Sequence, residues 1–120
     1  MTKNTALPGI SHHSFQRRLE EDDRHPALSA EAAIRNAIEA ARAGKAERVH
    51  QEVEYAKYAI ISRRCGMDIQ GMDLATIMRM PGLELCSGLS NVSDMAQQGV
   101  LAATVPILAE AAMRAHAMAA

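Results

Sequence analysis

The sequence has few of the features that announce a function. Of its 120 residues only two are cysteine, Cys65 and Cys86, and they form no Cys-x-x-Cys pair. A chain of this length buries a core without disulfide staples, so both are expected as reduced, partly buried thiols. An excess of one charge is missing too. Thirteen Lys and Arg oppose 14 Asp and Glu, a balance that argues against a generic nucleic-acid or membrane-surface binder. Met1–Ile10 holds no apolar run of the signal-peptide kind. The most apolar stretch, Gly99–Ala109, stops at Glu110, well short of the ~20 residues of a spanning helix. A cytoplasmic protein with no membrane partner is the expectation. Aromatics are reduced to one Phe and two Tyr, so the eight methionines read as flexible filler of a ring-poor core. No HExxH, GxSxG, GxGxxG or Walker-loop pattern occurs. Neither catalytic residues nor a cofactor are expected.

What is present is 48% hydrophobic residues, which excludes a wholly disordered chain and suits one globular domain. The periodicity is helical throughout, and the expected class is all-α, a small helical bundle with an N-terminal arm. Residues 1–28 form that arm. They combine Pro8-Gly9, His12-His13, the acidic block 20–23 and Pro26, with room for one short helix at about 11–22 that carries Phe15 and Leu19 on one side. The helical domain, 29–120, opens with a hairpin over 29–66. Ser29 is the expected N-cap, followed by the stripe Ala33, Ile34, Ala37, Ile38, Ala41. Gly44 stops the first helix, although a continuous helix through it is a rival at a cost of ~1 kcal/mol. Val49, Val53, Ala56 and Ile60, widened by Ile61, form the second stripe, and Gly66 ends it. Glu31–Arg35, Glu39–Arg42, Arg48–Glu52 and Glu54–Lys57 are expected as exposed ion pairs along the hairpin. A short helix fits near 73–80, stopped by Pro81. A long apolar helix then runs from Ser90 or Asn91 to Met118 and is expected to kink at Pro106. At ~42 Å such a helix outruns its partners unless Pro106 folds its end back; otherwise its tail projects and should self-associate.

Three functions compete. The first is a non-catalytic protein-binding module, a small regulator, adaptor or inhibitor that forms a homodimer or larger homo-oligomer. Its candidate contact residues are Phe15 and Leu19 of the arm, Tyr55 and Tyr58 of the hairpin, and Ile107, Ala111 and Met113 of the last helix. The second is a DNA-binding transcriptional regulator. Ser93–Val100 followed by Ala102–Val105 looks like a helix-turn-helix one residue short between Gln98 and Gly99. From residue 67 onward, however, five acidic residues oppose only Arg79 and Arg114, too few cations to clamp phosphates, so nucleic acid is not the expected partner. The third is a metal-binding bundle. Cys65, Met67, Met72, Met78 and Met80 are soft ligands of the kind that hold Cu(I). Core packing explains them as well, no paired Glu-x-x-His motifs support a di-iron site, and no metal ligand is assigned.

Overall fold

A computed structural model describes residues 12–61 and 81–119. Within them are five helices and no strand: α1 (His12–Glu21), α2 (Pro26–Arg42), α3 (Ala46–Ile61), α4 (Pro81–Gln97) and α5 (Thr104–Met118). The short helix expected near 73–80 and the Cys65–Met80 cluster lie outside the described residues. The protein is an all-α bundle. α2 packs on α3 and α5, α3 on α4, and α4 on α5, so four helices close a ring in which α3 lies diagonally across from α5. α1 sits outside that ring, against α3.

The ring is built from small and aliphatic side chains. α2 buries the whole expected stripe, Ala33 to Ala41, and α3 buries Val49, Val53, Ala56 and Ile60. Leu85, Leu89, Val92 and Ala96 repeat at helical spacing on α4, and Leu108, Ala111, Ala112 and Ala115 do so on α5. Alanines at the crossings let the backbones approach. The fully buried Ile34, Ile60, Leu89 and Leu108 fill the space between them, each stabilising by roughly 1.5–3 kcal/mol. Ile61 does not widen the α3 stripe; it is 48% exposed at the end of the helix.

The α2–α3 and α4–α5 reversals use one device. At the end of α2 the Gly44 amide donates to the Ala41 carbonyl (3.2 Å) and the Lys45 amide to Ala40 (2.9 Å). At the end of α4 the Gly99 amide donates to Ala96 (3.0 Å) and the Val100 amide to Met95 (2.9 Å). These are Schellman closures, which require a left-handed residue. Gly44 (φ 75°) and Gly99 (φ 81°) supply it without a Cβ penalty. The hairpin therefore breaks at Gly44, as expected, and the continuous-helix alternative is excluded.

Three helix boundaries differ from the expectation. α2 starts at Pro26, so the segment 1–28 overlaps its first turn and Ser29 is a buried residue of the helix. Its cap is His25, whose Nδ1 accepts the Ala27 amide (3.0 Å), with Pro26 pre-set at the first helical position. Pro81 starts α4 for the same reason, and the helix runs through Leu83, Glu84 and Leu85 without waiting for Ser90. The long kinked helix does not exist. Gly99 divides it, and Pro106 is the third residue of α5, where the N–H it lacks would have had no intrahelical acceptor. Pro106 therefore kinks nothing, and α5 turns back onto α2 and α4 instead of projecting.

Candidate protein-binding surface

Four of the residues singled out in the sequence come together on one side of the ring. Phe15 of α1 meets the Tyr55 ring edge-on at 5.7 Å between centroids and the Tyr58 ring tilted at 5.9 Å. Leu19, one turn on, is 3% exposed and joins the core. Between them Arg18 lies over the Tyr55 ring, 3.9 Å from its centroid, a cation–π contact. Phe15, Leu19 and Tyr55 are thus engaged by this chain's own arm.

The same seat holds a buried acid that the sequence disguised. Glu52 was expected on the exposed side of α3, yet it is 2% exposed. Arg18 donates to it through both terminal nitrogens (2.7 and 3.2 Å), Asn36 of α2 donates at 3.3 Å, and Arg48 pairs at 3.4 Å. A buried carboxylate is tolerable only when paired and hydrogen-bonded, and three elements converge to do this. The available signal was Tyr55 and Tyr58, which sit off the main stripe and give α3 a second face for another element to cover. An Arg-flanked Phe15-x-x-Arg-Leu19 helix is the complement to that face.

Polar satisfaction is incomplete around the seat. The buried Ser29 Oγ and Tyr55 phenol make no well-aligned hydrogen bond, although Ser29 lies close enough to both Tyr55 and Asp22 to pull their pKa values down. Burial raises the Tyr55 pKa, opposed by the nearby Arg18 charge. Asp22, in the α1–α2 joint, accepts the Arg24 side chain at 2.7 and 2.9 Å and its amide at 3.0 Å. Those bonds hold its pKa well below the usual carboxylate range, with a smaller lowering from the neighbouring Ser29 hydroxyl.

A histidine–serine pair joins α3 to α4: His50 Nδ1 and Ser93 Oγ share a hydrogen bond. Burial lowers the His50 pKa and keeps the ring neutral, as a general base must be. Ser93 is itself only 3% exposed, however, and none of the described grooves opens on it. The geometry is that of an interhelical bond. Among the described residues no three His, Cys, Asp or Glu side chains gather where they could hold a metal ion, and no helix there is long and apolar enough to cross a membrane.

The remaining candidates lie on α5. Ile107 is partly buried and Ala111 buried; both line a groove of about 200 Å³ against Leu85 and Gly88 of α4. Met113 points outward and is 69% exposed, the most exposed large apolar residue described. Pro106, Ala109 and Ala117 flank it, all exposed. The ionisable neighbours of this face are already partnered within the chain. Arg114 pairs with Glu110 at 2.8 Å and Glu84 at 3.7 Å, and His116 with Glu31 at 2.9 Å.

α4 and α5 are joined through residues 98–103, so helix–turn–helix connectivity is present where the sequence hinted at it. The one arginine on α5 is committed to two glutamates. No protein-family model, curated protein or solved structure matches the chain.

Proposed function

We propose that the chain is a non-catalytic, helical protein-binding module that pairs with a second copy of itself through the outward face of α5. The observation that carries this reading is Met113, exposed at the centre of an apolar strip (Pro106, Ala109, Ala117) whose bordering charges are internally paired. Such a strip offers little to an ionic or nucleic-acid ligand and a dry contact to an apolar one. Its symmetry favours a second copy. Glu110 and Arg114 are one turn apart, so antiparallel apposition about a two-fold axis near residue 112 sets Glu110 of one copy beside the partner's Arg114. α5 is only ~22 Å long, and a stable dimer covers ~800 Å² per partner, so the contact must extend onto the α4–α5 groove.

Light scattering across a concentration series tests this. A dimer is expected at ~100 μM, well above the ~1 μM scale of a modest affinity, and Met113→Glu should return the protein to a monomer. A wild-type monomer at that concentration overturns the reading. A DNA-binding regulator is the second reading, favoured only by the α4–α5 connectivity. It requires a sequence-selected duplex to be retained at physiological salt and lost on changing Arg35, Arg42, Lys45 and Arg48.

A further inference from the structure

The groove between α4 and α5 has a glycine where a helix favours a side chain. Gly88 sits in the middle of α4 and lines the groove with Leu85, Ile107 and Ala111. Its φ is not in the left-handed region, so the backbone makes no demand for glycine there. Alanine would stabilise a helix interior by ~1 kcal/mol more. A Cβ added at Gly88 would also meet no atom within 4 Å, so no other helix of this chain needs the space. The glycine weakens α4 and keeps a groove of about 200 Å³ open beside Leu85.

We propose that this groove is the socket for Met113 of a second copy, so that each copy inserts one methionine into the other. This socket rests on the α5 pairing proposed above and names what that pairing buries. The register fits. Antiparallel apposition that sets Glu110 beside the partner's Arg114 brings Met113 opposite the partner's Ala111, one wall of the groove. The shape fits as well. On α5 the lining residues Ile107, Glu110, Ala111 and Arg114 stand at i, i+3, i+4 and i+7, the four-residue hole that a knob from a facing helix fills.

The chemistry of the knob matches the socket. Met113 is 69% exposed, and its unbranched thioether adapts to an irregular apolar space. The rim carries Glu84, Glu110 and Arg114, and within one chain Arg114 is shared between both acids at 3.7 and 2.8 Å. In the pair, each Arg114 can serve Glu84 of its own chain and Glu110 of the other. A small apolar molecule in the groove would leave Met113 in water, whereas a second copy covers both features at once. The socket also brings α4 into an interface that α5, ~22 Å long, is too short to supply alone.

The dimer dissociation constant of the full-length protein, measured by sedimentation equilibrium, tests this. Gly88→Leu fills the socket from within and should raise Kd about tenfold or more, with a smaller rise for Gly88→Ala. In the monomeric Met113→Glu background both changes should raise the melting temperature, because each replaces a mid-helix glycine and meets no neighbour. If Gly88→Leu lowers it instead, Gly88→Ala carries the test. Ser87→Leu, on the exposed side of the same turn, should leave Kd unchanged. Met113→Ala should weaken the dimer, and combining it with Gly88→Leu should weaken it no further, since both remove one contact. Additive losses overturn the socket. So does a wild-type dimer whose Kd neither Gly88 variant changes; if Met113→Glu is still monomeric, that result leaves the α5 reading intact. A wild-type monomer at ~100 μM overturns both.

Discussion

The four-helix ring and the seat of α1 bury side chains by opposite means. The ring is filled with alanine, valine, leucine and isoleucine, and its fully buried large side chains are aliphatic apart from Tyr55. The seat is assembled from two tyrosines, a phenylalanine, two arginines and a buried glutamate. In the ring, stability depends on volume: little polar chemistry has to be satisfied, and any void removes contacts that nothing replaces. In the seat it depends on partners. Glu52 tolerates burial because donors from α1, α2 and α3 reach it, and water stands ready at the exposed side of each arginine. We expect close packing to make the ring a single cooperative body and the polar seat to make α1 an attachment whose loss the ring can survive.

The largest effect expected from a single substitution is therefore in the ring. Leu108 and Leu89 are fully buried, and truncation of either to alanine should destabilise the protein by ~2–5 kcal/mol, the range for a leucine cavity in a rigid core. Urea denaturation checks this, with both variants losing helical circular dichroism in one transition at a lower midpoint.

Arg18→Ala is the matching experiment in the seat. Truncating one partner of a fully buried ion pair costs about 3–5 kcal/mol, but Arg18 is 40% exposed and Glu52 keeps Arg48 and Asn36, so the expected loss is ~1–2 kcal/mol. Proteolysis should cut the α1–α2 joint faster in this variant while the ring stays protected. A loss as large as that of Leu108→Ala would erase the distinction between ring and seat and make α1 part of one cooperative core.

The two regions also differ in how far the sequence revealed them. Ring stripes were legible because burial there follows the helical period. Ala33–Ala41 and Val49–Ile60 are buried as the spacing predicts, and the ion pairs Glu31–Arg35, Glu39–Arg42, Arg48–Glu52 and Glu54–Lys57 all form. The seat was not legible, because Glu52 looks like a surface acid until a second helix brings Arg18 to it. The break at Gly99 was missed for a different reason. Apolar spacing continues through Val100 and Val105, so periodicity pointed to one helix, and Pro106 looked like its weak point. The informative residue was the glycine, since the Gln98-Gly99-Val100 reversal needs a left-handed residue that Gly99 provides. Met113, the outward member of the α5 candidates, was legible as apolar; its exposure followed only once α5 was packed on α2 and α4.

Acid should loosen a third kind of contact, the His50–Ser93 link between α3 and α4. Burial holds the His50 pKa below its ordinary value, with Glu54 and Asp94 opposing that shift and Lys57 reinforcing it. A histidine depressed in the folded state binds fewer protons folded than unfolded, so stability rises with pH through that window. Its contribution is complete above the unfolded value near ~6.5 and is lost as pH falls from there toward the folded value. Melting temperatures between pH 7.5 and 5 should therefore fall, by less than the Arg18→Ala effect, and His50→Gln should flatten the profile. Glu31, depressed by His116 and then Arg35, adds a second loss at lower pH, as acid protonates its carboxylate. A His50→Gln profile as steep as wild type would assign the acid sensitivity to carboxylates such as Glu31 and Asp22.

The smallest effect is expected where the seat is imperfect. Tyr55 contributes its ring to Phe15 and Arg18, but its buried hydroxyl has only a poorly aligned contact with Ser29. Tyr55→Phe retains the ring and removes the unsatisfied oxygen. A buried hydroxyl with only a poorly aligned bond recovers little of its desolvation penalty, so the substitution should change stability by no more than ~0.5–1 kcal/mol, in the stabilising direction. The same change at a hydroxyl with a well-made bond would be destabilising, and the sign of the urea midpoint shift separates the two cases. A clear loss of stability would mean that the Ser29 contact to Tyr55 is a full hydrogen bond and that the seat is satisfied.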